Sequence, residues 1–172
     1  MPQFILKISR PEEEVVVAQD VCCYLLSTSL GEEYIRRFDC RGKLLLLEGE
    51  KAAELCRTLK ADGVVLAADL KKPLKAPLLK IREQLGKKAV IGVVIPPRRH
   101  EAMLVSETEP EFIAFREEGD LSAAKEVVDW YNELFLIQSA WYPTEENPTQ
   151  PFPETDFVIL NPANYKILVA KK

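Results

Sequence analysis

Glycine runs out two thirds of the way along this chain. Of seven glycines in 172 residues, none lies beyond Gly119. The last third therefore lacks the small residue that lets backbone N–H groups close around a phosphate. Histidine occurs once, at His100, and the cysteines at 22, 23, 40 and 56 show no Cys-x-x-Cys or Cys/His spacing. That leaves a structural zinc site without its ligand set. The four are expected to be reduced structural thiols, with Cys22 and Cys23 on opposite faces of a strand. No apolar run approaches the roughly 18 residues of a membrane span, and the run at the start, Phe4-Ile5-Leu6, is too short for a signal peptide. Positive charge is not in excess: 23 Lys and Arg stand against 27 Asp and Glu, a net charge of −4. A pI near 5.2 argues against general nucleic-acid binding, which favours a basic surface. The expectation is a cytoplasmic protein with neither membrane nor nucleic acid as partner.

What is present is ordinary globular composition, 47% hydrophobic and 29% charged, over a length that suits one domain, 1–172. The stretch Leu44 to Val94 sets the pattern. Apolar runs at 44–47, 64–67 and 90–94 are separated by segments of helical period, the signature of βαβ units with parallel strands. Extending the reading gives strands at 3–9, 21–27, 43–48, 63–68, 89–95, 112–116, 135–140 and 156–160. Helices are expected at Glu12–Asp20, after Ser29, at Glu50–Lys60, from Pro77 to Gly86, through Ala102 and Val105, and from an N-cap at Ser122. Trp141 to Thr155 breaks the alternation, because Pro143, Pro148, Pro151 and Pro153 forbid a helix. Asn161 to Lys172 reads either as a short helix opened by Pro162 or as an extended segment.

Eight strands alternating with helices suggest a (β/α)8 TIM-type barrel. Such barrels usually need about 250 residues, so an open, doubly wound parallel sheet stays as the alternative on these grounds. In either fold, ligands bind at the C-terminal ends of the strands.

Three segments resemble the thiamine-phosphate synthase family, whose fold is a compact (β/α)8 barrel. Ala61-Asp62-Gly63-Val64-Val65-Leu66-Ala67 is similar to its Ala-Asp-Gly-Val-His-Leu-Gly strand. Ile91-Gly92-Val93-Val94 is similar to its Ile-Gly-Val-Ser. Pro110-Glu111-Phe112-Ile113-Ala114-Phe115 is similar to its Ala-Asp-Tyr-Val strand. The resemblance covers roughly residues 43 to 140 and favours the barrel. It also marks departures. The family's His falls at Val65, its glycines at Ala67 and Arg116, and its Ser at Val94. Its Gln-x-Arg-x-Lys strand has no counterpart before residue 43, and its late Gly-Gly phosphate loop is replaced by Ala140-Trp141-Tyr142-Pro143. The resemblance thus implies a barrel that has lost the synthase reaction and binds a small anion or serves a structural role. The alternative is an active Mg²⁺-dependent transferase on phosphorylated pyrimidine or thiazole compounds.

Polar residues expected near strand ends supply the candidates. Asp69 and Glu48, past neighbouring strands, would converge on Mg²⁺; the competing reading is solvated loop acids. Arg98 and Arg116 would clamp the anion of a small phosphorylated molecule, with Gln138 and Ser139 beside it; the competing reading is surface ion pairs. The basic stretch Lys71 to Lys88 reads as a solvated helix face or an acidic-partner surface. His100 reads as an exposed histidine or a general acid/base. The segment 141–155, with Trp141, Tyr142 and Phe152, reads as a loop over a bare barrel flank, a homodimer contact or a lid.

Overall fold

Parallel strands need a crossover to bring the chain back to its starting end, and here eight of them repeat that step until the sheet meets itself. In the computed structural model, which describes residues 2–171, the strands are β1 (Gln3–Ile8), β2 (Val21–Ser27), β3 (Leu44–Glu48), β4 (Gly63–Ala67), β5 (Val90–Ile95), β6 (Phe112–Arg116), β7 (Gln138–Tyr142) and β8 (Phe157–Leu160). They follow one another in order around a closed barrel. β1 pairs in parallel with β8, Gln3 opposite Phe157 through Leu6 opposite Leu160. That pairing excludes the open sheet, which would leave both strands with a free edge.

Among the described residues six α-helices cover the barrel: α1 (Glu32–Arg37), α2 (Ala52–Leu59), α3 (Lys75–Leu85), α4 (Arg99–Ser106), α5 (Leu121–Leu134) and α6 (Pro162–Ala170). Among the described residues none follows β1 or β7, and this economy closes eight strands in 172 residues. The helix expected at Glu12–Asp20 does not form. The Glu13 carboxylate accepts from the backbone N–H groups of Ser9 and Arg10, each at 2.9 Å, which ties it back to the strand end. Three nearby β-branched valines weaken helix propensity. Val15, Val16 and Ala18 pack directly on the barrel's outer face, and the Tyr24 hydroxyl donates to Val16 O at 2.8 Å. After β7 the proline-rich segment is irregular, as the prolines require, and Phe152 packs on the same outer layer. Trp141 is fully buried within it.

Two boundaries differ from the sequence reading, and a third that it left open is settled. The N-cap of α5 is Asp120, whose carboxylate accepts from the N–H groups of Ser122 and Ala123 at 3.4 and 3.3 Å; Ser122 lies inside the helix. β7 begins at Gln138 rather than 135, because Tyr131 of α5 stacks on Phe135 with ring centroids 4.8 Å apart and donates its hydroxyl to Ile137 O. Residues 135–137 therefore belong to the turn. The open end resolves as a helix: Asn161 caps α6 by accepting from Asn164 N at 2.8 Å, with Pro162 in the first turn, where its missing N–H costs nothing. Tyr165 of α6 packs edge-on against Phe4 and donates to Asp20 at 2.6 Å, tying the last helix to the first strand.

Strand alternation divides the apolar side chains into two layers. Phe4, Leu6 and Ile8 of β1 join the layer between barrel and helices. Ile5, Leu25, Leu46, Val65, Val94 and Ile159 fill the barrel interior. Two glycines make room there. A Cβ at Gly63 would sit 1.9 Å from Val90 O, and one at Gly92 would sit 2.2 Å from the Phe112 ring. In β2 the alternation is reset. Phe4 pairs with Val21 and Ile5 with Cys23, so Cys22 is skipped in the pairing with β1. This β-bulge corrects the expectation that Cys22 and Cys23 face opposite ways: both pack with the interior layer.

Candidate ligand site at the C-terminal rim

Two residues beyond an inward-facing position, a strand again points inward. Lys7 follows Ile5 in β1, Glu48 follows Leu46 in β3, Arg116 follows Ala114 in β6, and Tyr142 follows Ala140 in β7. All four reach the C-terminal mouth of the barrel, where they line one cavity of about 780 Å³. Its floor is apolar, with Val65, Ala67 and Val94, and its wall includes Glu50, Glu117 and Glu145.

The centre of the cavity is an ion pair held by a phenol. Lys7 Nζ lies 3.3 Å from Glu48 Oε1 and 3.4 Å from Glu145 Oε1, and 5.0 Å from the Tyr142 ring centroid, within reach of a cation–π attraction. The Tyr142 hydroxyl donates to Glu48 Oε1 at 2.8 Å and contacts Oε2 at 3.1 Å. Burial, then the negative charge and hydrogen bond of Glu48, then Glu145, hold this phenol neutral well above the ordinary tyrosine range. It is a hydrogen-bond donor at any physiological pH.

The segment after β7 forms one wall. Glu117 accepts from Thr149 N at 3.3 Å and from the Thr144 hydroxyl at 3.4 Å, and Asn164 Nδ2 donates to Glu145 O at 2.9 Å. Pro143, Thr144 and Glu145 are thereby set against the cavity. Charge in the lining is lopsided, with Lys7 and Arg116 facing Glu48, Glu50, Glu117 and Glu145. The wall carries a net charge of −2 from these six residues.

The residues singled out from the sequence divide by position. Glu48 and Arg116 line the cavity; Asp69 does not. Asp69 accepts from Lys71 N at 3.0 Å and pairs with Lys72 at 3.8 Å. Glu48 is already engaged by Tyr142 and Lys7. The two carboxylates are not brought together as an oxygen set for Mg²⁺, and no cluster of three metal-binding side chains occurs among the described residues. Arg98 and Arg116 do approach each other, across an internal acid. Glu118 lies 3.0 Å from Arg116 Nε and 3.8 Å from Arg98 Nη2. Gln138 and Ser139 open β7 and so lie at the N-terminal end of the barrel, away from the rim. The buried Ser139 hydroxyl donates to Asn132 at 2.7 Å, and its N–H donates to Asp156 at 2.9 Å. They were expected at the rim because β7 was read three residues early.

His100 is exposed on α4. In the basic stretch, Lys75 pairs with Glu107 and Arg82 with Glu111. Lys7 was missed, and Tyr142 was read only as part of the 141–155 segment and not as a site residue. The available signal for Lys7 was a single charge within an apolar strand of a closed barrel, where both faces are covered and a charge must point to the open mouth.

No protein-family model matches the chain. A thiamine-phosphate synthase from Erythrobacter litoralis (strain HTCC2594) is 36% identical over 92 residues, which covers 48% of this chain and 41% of that protein. The chain thus spans about two fifths of the relative's length, and the resemblance read from its central strands is borne out. Among solved structures, the ligand-free form of tryptophan synthase from M. tuberculosis matches with a TM-score of 0.64 at 12% identity, covering 98% of this chain and 86% of that one. An aminoacrylate-bound form matches with a TM-score of 0.65 at the same identity and coverage. At that identity the likeness is one of fold. No helix among the described residues is long and apolar enough to cross a membrane.

Proposed function

We propose that the chain is a divergent thiamine-phosphate-synthase-like barrel whose rim binds a small ring-shaped ligand without carrying out the synthase reaction. One observation carries the reading. The four positions where the resemblance puts the family's His, Gly, Ser and Gly are Val65, Ala67, Val94 and Arg116, and all four line the cavity. Three of the four are now aliphatic and the fourth is an arginine, which supports a site in the same place with altered chemistry. An aliphatic floor offers a ring an apolar surface, and the donors around it are already engaged, Lys7 and Tyr142 with Glu48 and Arg116 with Glu118. The net −2 wall favours a neutral or cationic ring over a phosphorylated one, since a phosphate would face four carboxylates at short range.

Thermal shift with an aminopyrimidine, a hydroxyethylthiazole and their phosphates, each with and without Mg²⁺, tests this. At a hundredfold excess over Kd a ligand adds about 2.7 kcal/mol, a rise of roughly 5–10 °C for a protein of this size. The unphosphorylated rings should give the larger rise. A flat panel, or coupling of the two phosphorylated partners to product, overturns the proposal.

The second reading is a small-anion site, favoured by the two arginines that share Glu118. An anion would take that carboxylate's place between them, and a phosphate-specific rise independent of the ring would support it. Homodimerisation through 141–155 rests on aromatic content alone. Light scattering on the full chain tests it, and a monomeric mass ends it.

A further inference from the structure

At the opposite end of the barrel, the bulge in β2 brings two thiols together. Cys22 is skipped in the pairing with β1, which passes from Phe4–Val21 to Ile5–Cys23, and its thiol donates to Phe4 O at 3.4 Å. Both side chains turn to the interior layer, and their sulfurs stand 3.7 Å apart. Neither is in a disulfide, and Cys22 is only partly buried. We propose that Cys22 and Cys23 form a bidentate thiolate site for a three-coordinate thiophilic centre, its ligand class being monosubstituted trivalent arsenicals.

Geometry narrows the class. With sulfur bonds of about 2.3 Å, a typical metal–thiolate length, a 3.7 Å chord subtends roughly 107° at the bound atom. A linear two-coordinate centre would need the sulfurs about 4.6 Å apart at the same bond length. A tetrahedral zinc ion needs four ligands, and no third His, Cys, Asp or Glu completes a cluster among the described residues. A centre that brings its own third substituent meets both limits.

The local charge favours reaction at Cys22. Lys43 Nζ donates to Ala18 O and Val21 O, holding a cation beside the pair. The Cys22 thiol is drawn below the ordinary range by its hydrogen bond with Cys23, against burial and with help from Lys43. The same contact, burial and the charges of Cys22 and Asp62 push Cys23 up. Cys22, the more accessible sulfur, is thus the first to attack. With phenylarsine oxide, two As–S bonds form and the arsenic–oxygen bonding is lost. The oxygen leaves as water with both thiol protons, and neither arsenic nor sulfur changes oxidation state.

The test is mass spectrometry of the folded chain with phenylarsine oxide. One adduct per chain is expected, stable to excess monothiol and released by a dithiol. Peptide mapping after iodoacetamide should find Cys22 and Cys23 protected and Cys40 alkylated. Cys22→Ala should weaken binding by about 10²–10⁴-fold, the usual gain from a second tethered contact, whereas Cys40→Ala should leave it unchanged. An adduct held as tightly by Cys22→Ala as by the wild-type chain overturns the proposal. So does an adduct that forms in urea but not in the folded wild-type chain, a result that needs no variant to fold.

Discussion

Replacing Tyr142 with Phe removes one oxygen atom and separates two effects by pH. At pH 8 the variant loses the hydrogen bond to Glu48, while Glu48 keeps Lys7 at 3.3 Å. Hydrogen bonds to charged groups contribute about 1.5–3 kcal/mol. Glu48 stays paired and partly solvated, so the cost should fall at the lower end, near 1.5 kcal/mol. Above pH 10 a second effect opposes the first. The unfolded tyrosine ionises near pH 10, but the folded one is held neutral by burial and by Glu48 and Glu145. A raised folded pKa gives stability that is complete below the unfolded pKa and is lost as pH climbs beyond it. The unfolded state then binds fewer protons, and wild-type stability falls by about 1.4 kcal/mol per pH unit from this residue. At pH 11 that loss is also about 1.4 kcal/mol, and the variant does not suffer it. Tyr131, raised by burial, and Tyr165, pushed up to about 12 by burial and its bond to Asp20, titrate alike in both proteins and cancel. Urea denaturation at pH 8 and pH 11 should therefore show the gap between wild type and variant closing almost completely. A gap of constant size would refute the buried phenol–carboxylate contact.

Other perturbations test separate parts of the account. Gly63→Ala drives a methyl into the Val90 carbonyl, 1.9 Å away on the neighbouring strand. Backbone cannot rotate aside as a side chain can, so urea unfolding should show a loss of about 3 kcal/mol or more. Asp120→Ala should destabilise by about 1 kcal/mol through loss of the α5 cap, while Ser122→Ala should stay within about 0.5 kcal/mol; the reverse order would restore Ser122 as the cap. Glu118→Gln removes the carboxylate that Arg98 and Arg116 share, leaving Arg98 its contact with Glu101 at 3.9 Å. Its exposed ion pairs hold little stability, so melting should barely move in buffer, while inorganic phosphate should stabilise the variant more than wild type if the arginines form an anion site.

The barrel was legible because its strands are continuous apolar runs separated by segments of helical period, a pattern that survives two crossovers without a helix. The first missing helix was not legible. Ser9, Pro11 and Glu12 carry a starting signal, and only the contacts of Glu13, Val16 and Tyr24 reveal that an extended segment serves instead. The second was legible, since proline forbids helix wherever it falls in mid-segment. The rim was half legible. Glu48 and Arg116 end strands whose bounds were read nearly correctly. Gln138 and Ser139 were set at the wrong end because a helix-to-strand turn of three apolar residues, Phe135 to Ile137, looks like the strand it precedes. The bulge at Cys22 left no mark in composition or period, because it is a property of pairing with β1.

Backbone amide chemical-shift mapping with an aminopyrimidine tests the central claim most directly. The account predicts perturbations confined to the C-terminal mouth, at Lys7, Glu48, Ala67, Val94, Arg116 and Tyr142, with Gln138 and Ser139 unmoved. Saturable shifts centred on the N-terminal end of the barrel, with the mouth silent, would contradict it.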